Sequence, residues 1–379
     1  MPDNLLLVSV DGHVSSNRAG YRDFVERAYL EPFDEWASSL EGMPEMFNGV
    51  PDLDPAVQWD DALRWEALES QGVAGEVLFP NSVPMMGFGF GMPEPPREHS
   101  EAGRRAYNRW LAAFCERAPE RRAGVMMTSS SPAEAVKDIH WAKEHGLAGA
   151  QLPPLHDSFY FEDRYEPVWE AYRDTGLVAV QHGGSGLPRN YPIGFASIMS
   201  IPIESNFHAS RCVWHMIFGG VFDRFPDLQL VVTESSVDWV PGLIRYMDWL
   251  VTKSDWLIFA EFLRREKHFE RLPSEYWADN CYGGGSFLSR GELELREDIG
   301  VGNLMFGTDF PHIESTFPHT KEWLQGSFGA SKVPVDETRA ILGENAARVY
   351  GLDLEALQPH VDRCGFLVDE ILVEDADVD

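Results

Sequence analysis

The sequence predicts an α/β fold, a (β/α)₈ TIM barrel with long loop insertions after strands 1, 2 and 5. Three observations point there. Roughly eight short apolar runs rich in β-branched residues alternate with amphipathic stretches, the pattern of βα units around a parallel sheet. No apolar run approaches the roughly 20 residues that span a bilayer. The chain has 379 residues, 44% of them hydrophobic and 24% charged, which is ordinary globular composition with room for one large core.

The strand-like runs are residues 5–10, 75–79, 124–128, 149–152, 177–181, 228–233, 278–282 and 303–307. Each is short and bounded by turn-forming residues, as a buried parallel strand should be. Helical periodicity fills 59–70, 102–117, 132–145, 165–175, 207–225 and 336–350. Such barrels take roughly 250 residues, and the surplus lies after individual strands. It falls in residues 14–58, 80–100 and 183–204. The expected division is a barrel over residues 1–355, then a docked C-terminal segment and acidic tail over 356–379.

Charge narrows the partners. With 31 Lys and Arg against 61 Asp and Glu, the net charge is −30. Such a field repels phosphate backbones and anionic headgroups, so neither nucleic acid nor a membrane is expected, and a small-molecule substrate is. The N-terminal MPDNLLLVSVDGH has no basic region or cleavage site of a signal peptide and reads as a first strand. Cys115, Cys212, Cys281 and Cys364 are single and far apart, which fits a reducing, cytoplasmic setting.

The residues that carry chemistry sit at predicted strand ends, where barrel active sites are built. Asp11 and His13, separated by Gly12, are two apart on one strand and point to one side. His182 closes LVAVQ before a glycine-rich turn, and Asp309 closes LMFGT with Pro311 and His312 just beyond. Asp11, His13, His182 and Asp309 form a plausible ligand set for one divalent cation, Zn²⁺ first, with Mn²⁺ or Fe²⁺ as alternatives. Any one of these motifs alone reads more readily as a polar strand cap; the coincidence of several favours metal.

Glu234 closes LQLVVTE, as either a turn cap or a proton-handling group beside Asp309. His208, at the loop-proximal end of its helix, and His312 are expected to bind substrate, and Arg189 in the loop after His182 is placed to hold a substrate carboxylate. A solvated loop arginine is the commoner case. Met85, Met86, Phe88 and Phe90 in the loop after the second strand either wall an apolar, substrate-binding pocket or pack that loop on the rim.

Taken in order, SVDGHV, WEALESQGVAGEVLFP, LVAVQHGG, GGVFDRFPDLQLVVTESSVDWVPGLIRYMD, MFGTDFPHIESTFP and ENAARVYGLD give a specific pattern. The chain resembles the amidohydrolase-related family that includes aminocarboxymuconate semialdehyde, γ-resorcylate and carboxyvanillate decarboxylases. The likeness covers nearly the whole chain. It implies a metal-dependent barrel enzyme with Asp11, His13, His182 and Asp309 on the ligand positions, and a homodimer or higher homo-oligomer. Two positions depart from those decarboxylases. They look like His-x-His or Glu-x-His where this chain has Asp11-Gly-His13, and they have His on the sixth strand where this chain has Glu234.

Three functions stay open at this stage. The first is hydrolysis of a small apolar, aromatic or cyclic carbonyl compound by metal-activated water, with Asp309 and Glu234 moving protons. The second is non-oxidative decarboxylation of an aromatic or enoic acid, with Asp309 protonating the carbon that loses CO₂. The third is a non-catalytic metal-binding protein, since fold alone does not prove turnover.

Overall fold

A computed structural model describes residues 4–42, 49–87, 95–155, 158–187, 191–192, 194–253 and 270–373. Eight parallel strands run in the order β1-β2-β3-β4-β5-β6-β7-β8. They are β1 (Leu7–Val14), β2 (Val73–Pro80), β3 (Arg122–Met126), β4 (Gly149–Gln151), β5 (Val178–His182), β6 (Leu230–Thr233), β7 (Cys281–Ser286) and β8 (Leu304–Gly307). Closure comes just beyond β8, where Asp309 N–H donates to Asp11 O at 2.9 Å and His13 N–H to Phe310 O at 2.7 Å. The expected TIM barrel is the observed one.

The helices wrap outside it: α1 (Leu30–Ser39), α2 (Asp61–Ser70), α3 (Arg97–Glu116), α4 (Pro132–Glu144), α5 (Glu166–Thr175), α6 (Phe195–Phe218), α7 (Val221–Arg224), α8 (Trp239–Thr252) and α9 (Pro273–Asn280). Local chemistry sets their ends. Asp60 caps α2 by accepting Leu63 N–H at 3.0 Å, satisfying an amide that has no partner within the helix. Gly176, in the left-handed region at φ 65°, ends α5.

Two apolar layers follow from the strand alternation. One fills the barrel with Val8, Val10, Val77, Phe79, Val125, Val180, Val231 and Met305 and is closed at its N-terminal end by Tyr350 and Leu357. The other lies between strands and helices and includes Leu78, Leu111, Phe114, Trp169, Val213 and Phe306. Full burial of one such side chain is worth about 1.5–3 kcal/mol. Leu357 lies on helix Leu354–Cys364, so the segment after the barrel is docked on it through Leu357, Val361 and Ile371.

Several elements differ from their sequence-based boundaries. β1 runs on through Asp11 and His13 to Val14, because β2 and Phe310 supply backbone partners on both sides. Residues 278–280 are helical, not strand: Glu275 accepts Leu272 N–H at 2.7 Å to start α9, and the strand begins at Cys281. Residues 195–204 are the first turns of α6 and not loop, with Pro202 carried inside the helix. The helix expected over 207–225 breaks at Gly219 and Gly220, the latter at φ 64°. Met85 does not wall a pocket; it is 1% exposed and packs the loop after β2 into the outer core. There Gly103 lets that loop approach, since a Cβ would lie 1.7 Å from Pro84 O.

Candidate metal centre

The C-terminal ends of β1, β5 and the β8 extension deliver Asp11, His13, His182, Asp309 and His312 to one point. β1 carries an extra residue between Ser9 and Gly12 relative to β2, a bulge of the kind that re-aims side chains beside active sites. His13 Nε2 lies 3.3 Å from Asp11 Oδ1 and 3.2 Å from Asp309 Oδ1. His182 Nε2 lies 3.4 Å from the same Asp11 oxygen, and His312 Nδ1 lies 2.8 Å from Asp309 Oδ1. Asp309 holds a left-handed backbone, φ 58°, strain of the sort concentrated at functional sites.

The other ring nitrogen of each histidine is already committed. His13 Nδ1 faces Pro80 O at 3.1 Å, and His182 Nδ1 faces Gly183 O at 3.0 Å and Glu234 Oε2 at 2.9 Å. His312 Nε2 faces Asn81 Oδ1 at 3.2 Å, and Asn81 Nδ2 donates to Gln58 Oε1 at 2.5 Å. Carbonyls and carboxylates only accept, so those ring nitrogens carry the protons. Ser286 Oγ donates to Asp11 Oδ2. What remains, Asp11 Oδ1, His13 Nε2, His182 Nε2, Asp309 Oδ1 and His312 Nδ1, is buried with no hydrogen-bond partner.

Lone pairs crowded at such distances repel unless positive charge sits among them. Two overlapping groups, Asp11-His13-His182 and His13-Glu234-Asp309-His312, have ligand atoms within 4.8 Å of one another. The donor set of carboxylate oxygens and imidazole nitrogens suits a divalent cation. Proton equilibria show the same demand. Burial acts to raise the Asp11 carboxyl, but the adjacent His13 and His182 imidazoles hold it well below the usual carboxylate range. Burial acts to lower His182, while Glu234 and Asp11 bring it up to about 10, and His13 is likewise raised well above its ordinary value by Asp11 and Asp309 against the effect of burial.

The remaining sequence candidates divide. Glu234 reaches the site, 29% exposed and at φ 49°, with its carboxylate on His182. The approach depends on Gly183, whose Cβ would sit 2.2 Å from Glu234 O. His312 stacks on His13 with ring centroids 3.9 Å apart. His208 faces Arg211 at 3.5 Å and packs on Phe207. Phe88, Phe90 and Arg189 lie outside the described residues. Sequence reasoning missed Ser286, Asn81, Gln58 and Phe79, whose ring lies 4.4 Å from that of His182. Ser286 and Phe79 close or nearly close their strands, and that address was their only signal.

A closed parallel barrel with this set at its mouth defines a class, and the sequence profile of the amidohydrolase family (Amidohydro_2) matches residues 10–352. The chain belongs to the amidohydrolase family. Among solved structures it is similar to 5-carboxyvanillate decarboxylase LigW from Sphingomonas paucimobilis, at 21% identity and TM-score 0.65, covering 92% of this chain and 100% of that one. It is similar to an amidohydrolase from Mycobacterium avium subsp. paratuberculosis K-10, at 18% identity and TM-score 0.66, covering 92% and 100%. A third is dihydroxybenzoic acid decarboxylase from Polaromonas sp. JS666, with bound manganese and 2-nitroresorcinol, at 17% identity and TM-score 0.61, covering 93% and 99%. At these identities the likeness is one of fold. No curated protein matches the chain. Among the described residues no helix is long and apolar enough to cross a membrane.

Proposed function

We propose that this protein is a metal-dependent, non-oxidative decarboxylase of a small aromatic or enoic carboxylic acid. The observation that carries the reading is the converging set of unpartnered ligand atoms on Asp11, His13, His182 and Asp309, with His312 beside them. Its support for this reaction class comes from solved relatives whose names are 5-carboxyvanillate and dihydroxybenzoic acid decarboxylase, one of them holding manganese. The cation is divalent, with Mn²⁺ ranked before Zn²⁺ on that precedent. When bound, it anchors and polarises the oxygens of the acid.

The chain's own residues do the rest. Phe79 packs on His182 from the barrel interior and backs that ligand. Glu234 holds His182 Nδ1–H at 2.9 Å and fixes the tautomer that leaves Nε2 bare. Asp309, with His312 behind it at 2.8 Å, holds the proton delivered to the carbon. The carbon–carboxylate bond breaks, CO₂ leaves, and that proton forms the new C–H bond.

Hydrolysis is the second reading, favoured by one feature. Glu234 places negative charge at the mouth, where it repels a substrate carboxylate. One experiment separates the readings: Mn²⁺- and Zn²⁺-loaded protein is offered dihydroxybenzoic acids and 5-carboxyvanillate in parallel with carboxyl-free aromatic esters and lactones. CO₂ release with the matching decarboxylated product is expected. Ester or lactone cleavage without CO₂ moves the assignment to hydrolysis, and turnover of neither class by fully loaded protein leaves a metal-binding role.

A further inference from the structure

Behind the first strand lies an ion pair that the chemistry above does not use. Arg64 on α2 and Glu76 on β2 are enclosed, their side chains 0% and 1% exposed. Arg64 Nη2 donates to Glu76 Oε2 at 2.6 Å and Nε to Oε1 at 2.9 Å, a bidentate pairing. Arg122 faces Glu76 at 3.6 Å and is itself paired with Asp61 at 2.7 Å. The free arm of Arg64, Nη1, donates to the backbone oxygens of His13 at 3.1 Å and Val57 at 3.2 Å. The guanidinium also lies 5.2 Å from the ring centroid of Phe310.

These last contacts meet the centre from behind. His13 is the residue whose Nε2 faces both carboxylates, and Phe310 follows Asp309 and accepts His13 N–H at 2.7 Å. Gly12 sits against the pair, where a Cβ would come within 3.3 Å of Glu76 Oε2 and 3.5 Å of Arg64 Nη2. Desolvation offsets most of what a buried ion pair contributes to stability, and apolar residues of similar volume often do as well. A directional fork, unlike an apolar side chain, fixes where a carbonyl lies.

We propose that Arg64, held in register by Glu76, is a positioning residue that sets the spacing between His13 Nε2 and Asp309 Oδ1 by fixing the His13 carbonyl and the Phe310 ring. The proposal rests on the metal-centre reading above. Its test is Arg64→Lys, which keeps the charge but cannot hold Glu76 bidentately while reaching His13. A double variant, Arg64→Met with Glu76→Met, removes both charges and keeps the space filled if the lysine variant does not fold.

Three quantities are measured on the same preparations: Mn²⁺ affinity by electron paramagnetic resonance, the Tm of the metal-free protein, and amide hydrogen exchange over residues 9–14. The folded variant is expected to bind Mn²⁺ at least about tenfold more weakly, with faster exchange in that stretch. A lower Tm with unchanged Mn²⁺ affinity and unchanged exchange shows a structural pair only and overturns the proposal. Wild-type protein that binds no Mn²⁺ overturns the metal reading instead, and the exchange rates alone then decide whether Arg64 positions His13.

Discussion

The two ends of the barrel treat buried polarity differently: ligand-type atoms converge without partners at one, while amide side chains satisfy backbone carbonyls at the other. At the N-terminal end, Asn345 donates to the carbonyls of Val301 and Leu304 at 2.8 Å, and Asn303 to Ala278 and Cys281 at 2.8 and 2.9 Å. Tyr350 and Leu357 close the space beneath, the Tyr350 hydroxyl being the one buried group there, among the described residues of that layer, left without a partner. At the C-terminal end, buried oxygens and nitrogens from β1, β5 and the β8 extension face one another without partners. A buried polar atom left unsatisfied costs about 1–3 kcal/mol, so the first end is built for stability and the second for something that supplies the missing charge.

The sharpest way to break that contrast is to exchange the penalties. His182→Ala should lower divalent-metal content by more than the roughly 10–100-fold typical of outer-shell changes, with the fold kept. Leu357→Ala should cost about 2–5 kcal/mol of stability and leave metal affinity in the folded protein intact. Elemental analysis and thermal melts on both variants check this. Full metal content in folded His182→Ala would remove the site.

Glu234→Gln gives a smaller effect and a finer division. As a residue that orients His182, it should weaken metal binding by roughly tenfold while kcat at saturating metal stays near wild type. A kcat loss of about 10² to 10⁴ at full occupancy marks general acid–base work instead and favours hydrolysis.

Proton linkage tests the same place. The His182 imidazole is held up to about 10 in the metal-free fold, against an ordinary 6.5, so its contribution to stability is complete below about pH 6.5 and is lost as pH rises toward 10. The Tm of chelated protein should therefore fall over that interval while Mn²⁺-loaded protein does not follow, and metal binding should release protons. A flat profile without metal contradicts the electrostatics described.

His215 gives the mildest effect. Its Nδ1 is also buried and unpartnered, but Phe159, Phe161 and Trp214 surround the ring in place of carboxylates. Burial, with Arg211 nearby, lowers it to about 4. That contribution is present above about pH 6.5 and is lost as pH falls toward 4. His215→Phe should flatten the acid side of the melting profile by a few degrees without touching metal affinity.

Strand order and closure were legible because each βα unit repeats one hydrophobic rhythm, and Asp11, His13, His182 and Asp309 were legible because each sits at the end of such a run. Helix edges were harder. Residues 195–204 read as loop, yet α6 carries them with Pro202 inside, and residues 278–280 look like strand until Glu275 is seen capping α9. The support behind the site was invisible for a different reason. The contact of Arg64 with the His13 carbonyl spans 51 positions, and that of Ser286 with Asp11 spans 275. No local spacing encodes such pairs.

One feature of the closure reaches into biosynthesis. The bonds from Asp309 to Asp11 and from His13 to Phe310 join the first strand to the segment after the last, so the site is the seam of the barrel. A nascent chain carries Asp11 and His13 out of the ribosome nearly three hundred residues before Asp309 emerges. With the proposed ligand set, full capture of a cation waits for that moment, so metal uptake should report folding late and a fragment ending before β8 should fail to retain it.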